Sequence, residues 1–189
     1  MLQRGPVPDA FSFNSAMDAC KSLAGSDHCT SWPWALWLLR ELRQSRRIKP
    51  DVVTFNTAAS ACERGSFWAG ALALLTEMRS LNLPSTPISY KTVMAACERA
   101  SEWRVALAVL EAMHQHGHQL EFTGYRAALL AVCASGRVDE GLALFRGMAQ
   151  EGLVQLWQIS ERFAVDLHGL PTEVARLAVF AALFDMAEQ

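Results

Sequence analysis

Apolar residues recur along most of the chain at the three- and four-residue spacing of an amphipathic helix. Leu72, Leu75 and Met78 form one such stripe. Because residues three and four apart lie on one face of a helix, this stripe predicts a helix over residues 67–80. A second helix is predicted just before it, over residues 53–64, so that the two form a helical hairpin.

The hairpin pattern repeats with a period of 35 residues. Three independent series of positions share this period: Phe13, Phe55, Tyr90 and Tyr125; Ala35, Ala71, Ala106 and Gly141; Leu42, Met78, Met113 and Met148. The first hairpin is seven residues longer than this period, and the extra residues fall in its loops. One hairpin cannot bury its own apolar face, whereas stacked neighbours can. We therefore predict four tandem hairpins that stack into an α-solenoid.

Composition and charge restrict the possible partners. The net charge of −2 argues against a nucleic-acid binder that depends mainly on phosphate contacts, but it allows one that reads bases. The most apolar stretch, 174–184, contains Arg176 and is shorter than the roughly 20 residues of a membrane span, so no membrane is predicted. The N-terminus has no hydrophobic signal-peptide core, so either targeting is absent or the chain begins inside a longer protein.

Candidate sites for metals and catalysis find little support in the sequence. The five cysteines form no C-x-x-C pair, and four of them occupy nearly the same position in successive repeats, which favours buried free thiols. The motif HQHGH (114–118) is better explained by a helix C-terminus than by a metal site, because Gly117 interrupts the helix face. No phosphate loop, nucleophile elbow or carboxylate pair is present. We therefore predict a non-enzymatic protein with no metal and no cofactor.

The repeats resemble the pentatricopeptide repeat (PPR) family. The stretches that carry the resemblance are PDVVTFNTAASACERGSFWAGALALLTEM, PISYKTVMAACERASEWRVALAVLEAM and YRAALLAVCASGRVDEGLALFRGM. Tetratricopeptide repeats have 34 residues and a W-x-x-L-G-x-x-Y pattern, which is absent. The resemblance implies an all-α solenoid with repeats at 10–51, 52–86, 87–121 and 122–156, preceded by the end of a partial repeat at 1–9.

The PPR resemblance implies binding of single-stranded RNA with one base per repeat. In that family the fifth and last residues of a repeat read the base, and the second residue packs against it. The fifth residues here are Asn14, Asn56, Lys91 and Arg126. The last residues are Asp51, Thr86, Glu121 and Leu156, and the second residues are Phe11, Val53, Ile88 and Thr123.

Only the first repeat carries a familiar pair, because Asn14 with Asp51 resembles the combination that favours uracil. Asn56 with Thr86 is partly familiar and assigns no base. Lys91 and Arg126 depart from the family pattern. They either contact phosphates or are solvated, and the sequence leaves both interpretations open.

The pattern changes in residues 157–189. The stretch RFAVDLHG (162–169) predicts a short strand, and a helix is predicted to follow it. This strand–helix appendage resembles the start of an Smr domain, with motif residues Asp166, His168 and Gly169. The later strands and the T-G-x-G motif of that domain do not follow, so we expect no hydrolysis and a helix that caps the solenoid instead.

The expected function is single-stranded RNA binding, in organellar RNA processing or stability. The resemblance implies a chloroplast or a mitochondrion. An alternative is a protein–protein interaction scaffold that uses the same groove. A weaker alternative is the remnant of a PPR–Smr nuclease.

Overall fold

The structure, a computed structural model, describes residues 9–22, 32–45, 48–118, 122–150, 152–153, 172 and 174–179. These residues contain eight helices of 13 residues each, a further helical segment at 174–179, and no strand. The helices are α1 (Ala10–Ser22), α2 (Trp32–Gln44), α3 (Val52–Arg64), α4 (Trp68–Ser80), α5 (Pro87–Arg99), α6 (Trp103–Gln115), α7 (Phe122–Ala134) and α8 (Val138–Gln150). The prediction of an all-α chain of paired helices is confirmed for this part of the protein.

The chain forms two compact units, residues 1–96 and 97–189. In the first unit, α1 packs on α2 and α3, and α3 also packs on α2 and α4. Its core includes most of the predicted repeat positions, among them Phe55, Leu42 and Met78, which are at most 2% exposed. The periodic apolar residues thus hold neighbouring hairpins together, as the stacking argument requires.

The helices of the second unit also pack around buried apolar residues. Here α7 packs on both α6 and α8, around the buried residues Met113, Phe145 and Met148. Residues 174–179 are helical, and a Cβ atom on Gly141 would lie 3.0 Å from Cδ1 of Leu177. The tail helix therefore contacts α8 at a glycine. The strand predicted over 162–169 lies outside the described residues.

Left-handed residues close the turns of the repeats. Ser66, Ser101 and Gly136 follow the first helices of successive hairpins, with φ values of 53°, 57° and 69°. Gly117 has a φ of 73° two residues beyond the end of α6, where a C′ glycine ends a helix at little conformational cost. The helix end predicted at this glycine is confirmed.

An aromatic stack joins the first two hairpins. The rings of Trp32 and Phe67 lie 4.2 Å apart, centroid to centroid, with an interplanar angle of 25°. Gly65 lies against the indole of Trp32, because a Cβ atom there would be 2.2 Å from Cδ1 of Trp32. The absence of a side chain at Gly65 therefore permits the contact.

Replacing Gly65 by alanine should lower the free energy of unfolding by about 1–3 kcal/mol, because the indole must leave its place to admit the methyl group. Gly147→Ala in α8 is a matched control, since a Cβ atom there meets nothing within 4 Å. That change should raise the free energy of unfolding by about 0.5–1 kcal/mol. Urea denaturation of both variants checks the pair, and equal losses of stability would contradict the steric account.

The cysteines behave as structural residues. The thiols of Cys62 and Cys97 are buried, whereas those of Cys20 and Cys133 are half-buried. Burial raises the pKa of Cys62 to about 12 and that of Cys97 to about 11, so reactive thiolate is scarce at neutral pH. Among the residues that the structure describes, no group of three His, Cys, Asp or Glu side chains could hold a metal ion. No helix within the described ranges is long and apolar enough to cross a membrane.

Candidate nucleic-acid interface

Three large apolar side chains point into solvent at the starts of α1, α3 and α5. Phe11, Val53 and Ile88 are 78%, 58% and 64% exposed, and each is the second residue of its helix. Since α1 packs on α3 and a hydrogen bond joins α3 to α5, these equivalent positions form a row, which we call the apolar row. Exposed apolar groups that cluster in this way mark binding surfaces.

A polar residue follows each member of the apolar row three positions later. Asn14, Asn56 and Lys91 are all half-buried. Residues three apart lie on the same helix face, so each apolar side chain has a polar neighbour one turn along. Each helix start thus offers one apolar surface and one hydrogen-bonding group. In the second unit, the equivalent residue Arg126 is exposed.

Asp51 is the N-cap of α3. Its Oδ1 accepts hydrogen bonds from the backbone N–H of Thr54 at 2.8 Å and from the Thr54 hydroxyl at 2.7 Å. Asp9 and Ser12 repeat this arrangement at the start of α1, with distances of 2.8 and 2.7 Å. Capping satisfies backbone donors that a helix start leaves open. The observed contacts of Asp51 are therefore those of a cap.

The predicted pair of Asn14 with Asp51 is not joined by a hydrogen bond. The Oδ1 atom of Asn14 is buried and accepts no hydrogen bond from the described residues. In the second repeat the corresponding residues are linked indirectly, because Ser89 bonds to both Asn56 and Thr86. The sequence prediction did not include Ser89. A signal for it was present, since Ser12, Thr54 and Ser89 all carry a hydroxyl at the third position of a repeat.

Removal of the Asp51 carboxylate should destabilise the start of α3. We expect Asp51→Ala to lower the free energy of unfolding by about 0.5–2 kcal/mol, because the N–H of Thr54 loses its acceptor. Asp51→Asn keeps an acceptor oxygen and should retain most of the stability. Thermal denaturation followed by circular dichroism distinguishes the two, and an unchanged melting temperature for Asp51→Ala would refute the capping role.

Not all predicted site residues can be placed. Glu121 and the Smr-like motif residues Asp166, His168 and Gly169 lie outside the described residues. Arg43 begins the basic stretch RQSRRIK (43–49), forms an ion pair with Glu77, and has its guanidinium carbon 5.5 Å from the ring centroid of Phe55. Arg43 thus serves packing between helices of the first unit.

The repeats match a known family. The family model described as "PPR repeat" matches residues 53–83, 88–118 and 125–153. Three segments of the chain are therefore similar to pentatricopeptide repeats. These matches cover the second, third and fourth predicted hairpins, and in the unmatched first hairpin α1 and α2 have the same lengths as the helices of the others. The matches end at residue 153, so they give no support to the Smr-like resemblance of the tail.

Solved structures show similar folds. The PPR protein PPR10 from maize is 26% identical over 79% of this chain and 20% of its own, with a TM-score of 0.65. PPR10 in complex with an 18-nt psaJ RNA element is 24% identical over 100% of this chain and 25% of its own, with a TM-score of 0.72.

The PPR domain of Arabidopsis thaliana protein-only RNase P 1, in complex with tRNA, is also similar. It is 16% identical, with a TM-score of 0.67, and the match covers 96% of this chain and 83% of that domain. No curated protein sequence matches the chain. The chain spans a fifth to a quarter of the length of the PPR10 chains that it resembles.

Proposed function

We propose that the protein binds single-stranded RNA through the apolar row and the polar residues beside it. The observation that carries the proposal is the exposure of Phe11, Val53 and Ile88 at one position of successive hairpins. A base can pack against each of these side chains, and the polar residue three positions later can reach its edge. The similarity to PPR10, which has been solved with an RNA element, supports the same conclusion.

The free energies involved predict modest affinity. A good base contact contributes roughly 1–3 kcal/mol, and stacking on a side chain contributes a similar amount. Immobilising the RNA and the protein side chains offsets several of these contributions. With a net charge of −2, phosphate contacts add little. We expect short RNAs to bind weakly, with only a moderate dependence on salt.

A titration with short homopolymer RNAs at low salt tests the proposal. We expect preference for oligouridine, reduced by Asn14→Ala. The Oδ1 of Asn14 has no donor among the described residues, so the carboxamide can turn toward a base without losing an observed hydrogen bond at that oxygen. Lys91→Ala should weaken binding to all homopolymers equally if Lys91 contacts phosphate. Binding of no homopolymer at low salt would contradict the proposal.

A protein-interaction scaffold is the second candidate, and a specific feature favours it. Trp34 and Trp37 on α2 are 65% and 50% exposed, and their rings form an edge-to-face pair with centroids 6.2 Å apart. Tryptophan is enriched at protein interfaces and among the residues that dominate their affinity. If no RNA binds, this aromatic pair becomes the first place to test by mutation.

Two finer proposals rest on resemblance alone. An organellar role, in a chloroplast or a mitochondrion, follows from the PPR resemblance and is tested by imaging the tagged natural protein in cells. The Smr-like remnant is supported only by the motif of Asp166, His168 and Gly169 in the sequence. If that remnant cleaves RNA, incubation with labelled RNA would produce fragments that disappear in His168→Ala.

A further inference from the structure

A chain of hydrogen bonds connects the last residue of the second repeat to its fifth residue. Ser89, which is only 2% exposed, lies between Thr86 and Asn56 and bonds to both. We propose that Ser89 is a positioning residue that orients the Asn56 carboxamide for a base, and that Thr86 acts on the base only through Ser89. The inference rests on the proposed RNA-binding function.

The donor in each of these hydrogen bonds follows from the number of protons that each group carries. The Ser89 hydroxyl accepts from the backbone N–H of Thr86 at 3.2 Å and donates to Oδ1 of Asn56 at 2.8 Å. A hydroxyl has one proton and two lone pairs. Since the serine proton goes to Asn56, the 3.0 Å bond between the two hydroxyls uses the proton of Thr86.

The hydrogen bond from the Ser89 backbone to the Thr86 hydroxyl is consistent with Thr86 as the donor to the Ser89 hydroxyl. The Thr86 hydroxyl accepts from the backbone N–H of Ser89 at 3.3 Å, so it has an acceptor role and one proton to give. Each donor among these hydrogen bonds is then matched by an acceptor. The carboxamide oxygen of Asn56 is held toward Ser89, and its amide nitrogen, with two N–H donors, lies at the other end of the planar group.

The first repeat has the same asparagine but different residues at the other two positions, and its outcome is the opposite. Thr54 corresponds to Ser89, and its hydroxyl donates at 2.7 Å to the carboxylate of Asp51. A carboxylate carries no proton that it could donate to Thr54. The single hydroxyl proton of Thr54 is therefore engaged in the hydrogen bond to Asp51. Consistent with this, Oδ1 of Asn14 receives no donor from the described residues.

The comparison shows how the last residue of a repeat can control the fifth residue without touching it. An aspartate takes the hydroxyl proton of the next repeat's third residue, whereas a threonine supplies a proton and leaves the third residue free to bond to the asparagine. The second repeat therefore presents a fixed carboxamide to its base. The first repeat presents one whose Oδ1 receives no hydrogen bond from any described residue.

Fluorescence anisotropy with short labelled oligouridines, each carrying one A, C or G at a scanned position, tests this assignment. The position read by the second repeat is the one at which Asn56→Ala changes base preference. There, we expect Ser89→Ala to reduce discrimination among the four bases by roughly fivefold or more, with a smaller effect on the affinity for the best RNA. Ser89→Thr keeps the hydroxyl and should restore discrimination.

A matched control separates positioning from a general structural effect. Thr54→Val removes the equivalent buried hydroxyl, which bonds to Asp51 and not to Asn56, and it should leave base preference at the Asn56 position unchanged. If Ser89→Ala fails to fold, Thr86→Asp serves instead, because an aspartate cap redirects the serine proton as Asp51 does with Thr54. It should produce the same loss of discrimination.

The outcomes distinguish this inference from the function on which it rests. If the wild-type protein binds none of the RNAs, the proposed function and the inference are both overturned. If the wild type binds, but Ser89→Ala and Thr86→Asp keep full discrimination at the Asn56 position, only the role of Ser89 is overturned.

Discussion

Phe55→Ala should lower the free energy of unfolding by about 3–5 kcal/mol. The Phe55 side chain is fully buried in α3, and the guanidinium of Arg43 lies over its ring. Alanine would leave a cavity and would also remove the aromatic face beneath Arg43. Urea denaturation followed by circular dichroism measures the loss.

Val53→Ala is the matched control for Phe55→Ala. Val53 lies two residues earlier on the same helix but is 58% exposed, so its truncation should change the free energy of unfolding by no more than about 0.5 kcal/mol. The contrast tests the register of the repeat directly. If Val53→Ala were the more destabilising change, the assignment of core and binding positions would be wrong.

The triple substitution Phe11→Ala, Val53→Ala and Ile88→Ala should abolish most RNA binding while the protein stays folded. If each side chain of the apolar row contributes about 1 kcal/mol through contact with a base, the combined loss corresponds to roughly a hundredfold in dissociation constant. The melting temperature should change little, because all three side chains are largely exposed. Anisotropy titration with oligouridine measures the affinity.

Leu81 and Val138 provide controls for the loss of exposed apolar surface in general. They are 52% and 47% exposed, but they lie outside the apolar row, at the end of α4 and the start of α8. Leu81→Ala with Val138→Ala should leave the affinity for RNA within about twofold of the wild type. Equal weakening by both sets of substitutions would show that the apolar row has no special role.

Much of the fold could be predicted from periodicity alone. The helix predicted over 53–64 is observed as Val52–Arg64, and the one predicted over 67–80 as Trp68–Ser80. These boundaries were accessible because apolar spacing reports which residues must face a neighbour. The extra residues of the first repeat did not disturb α1 or α2, which keep the same length as the other helices.

The hydrogen bonds of the candidate site were less accessible to sequence reasoning. The bonds of Asp51 to Thr54 establish a capping role, whereas its base-reading role was implied by the family resemblance. The second stays a prediction. The role of Ser89 depends on how one hydroxyl divides its donor and acceptor capacity among neighbours in three dimensions. Periodicity identifies the position but cannot say where its proton goes.

The central claim is that RNA contacts the apolar row and the polar residues beside it, and photo-crosslinking tests it most directly. An oligouridine containing 4-thiouridine would be irradiated with the wild-type protein, and the crosslinked peptides would be identified by mass spectrometry. We predict crosslinks in the first turns of α1, α3 and α5, at or next to Phe11, Val53 and Ile88. Crosslinks concentrated on α2 and α4, or none at RNA concentrations that saturate binding, would contradict the account.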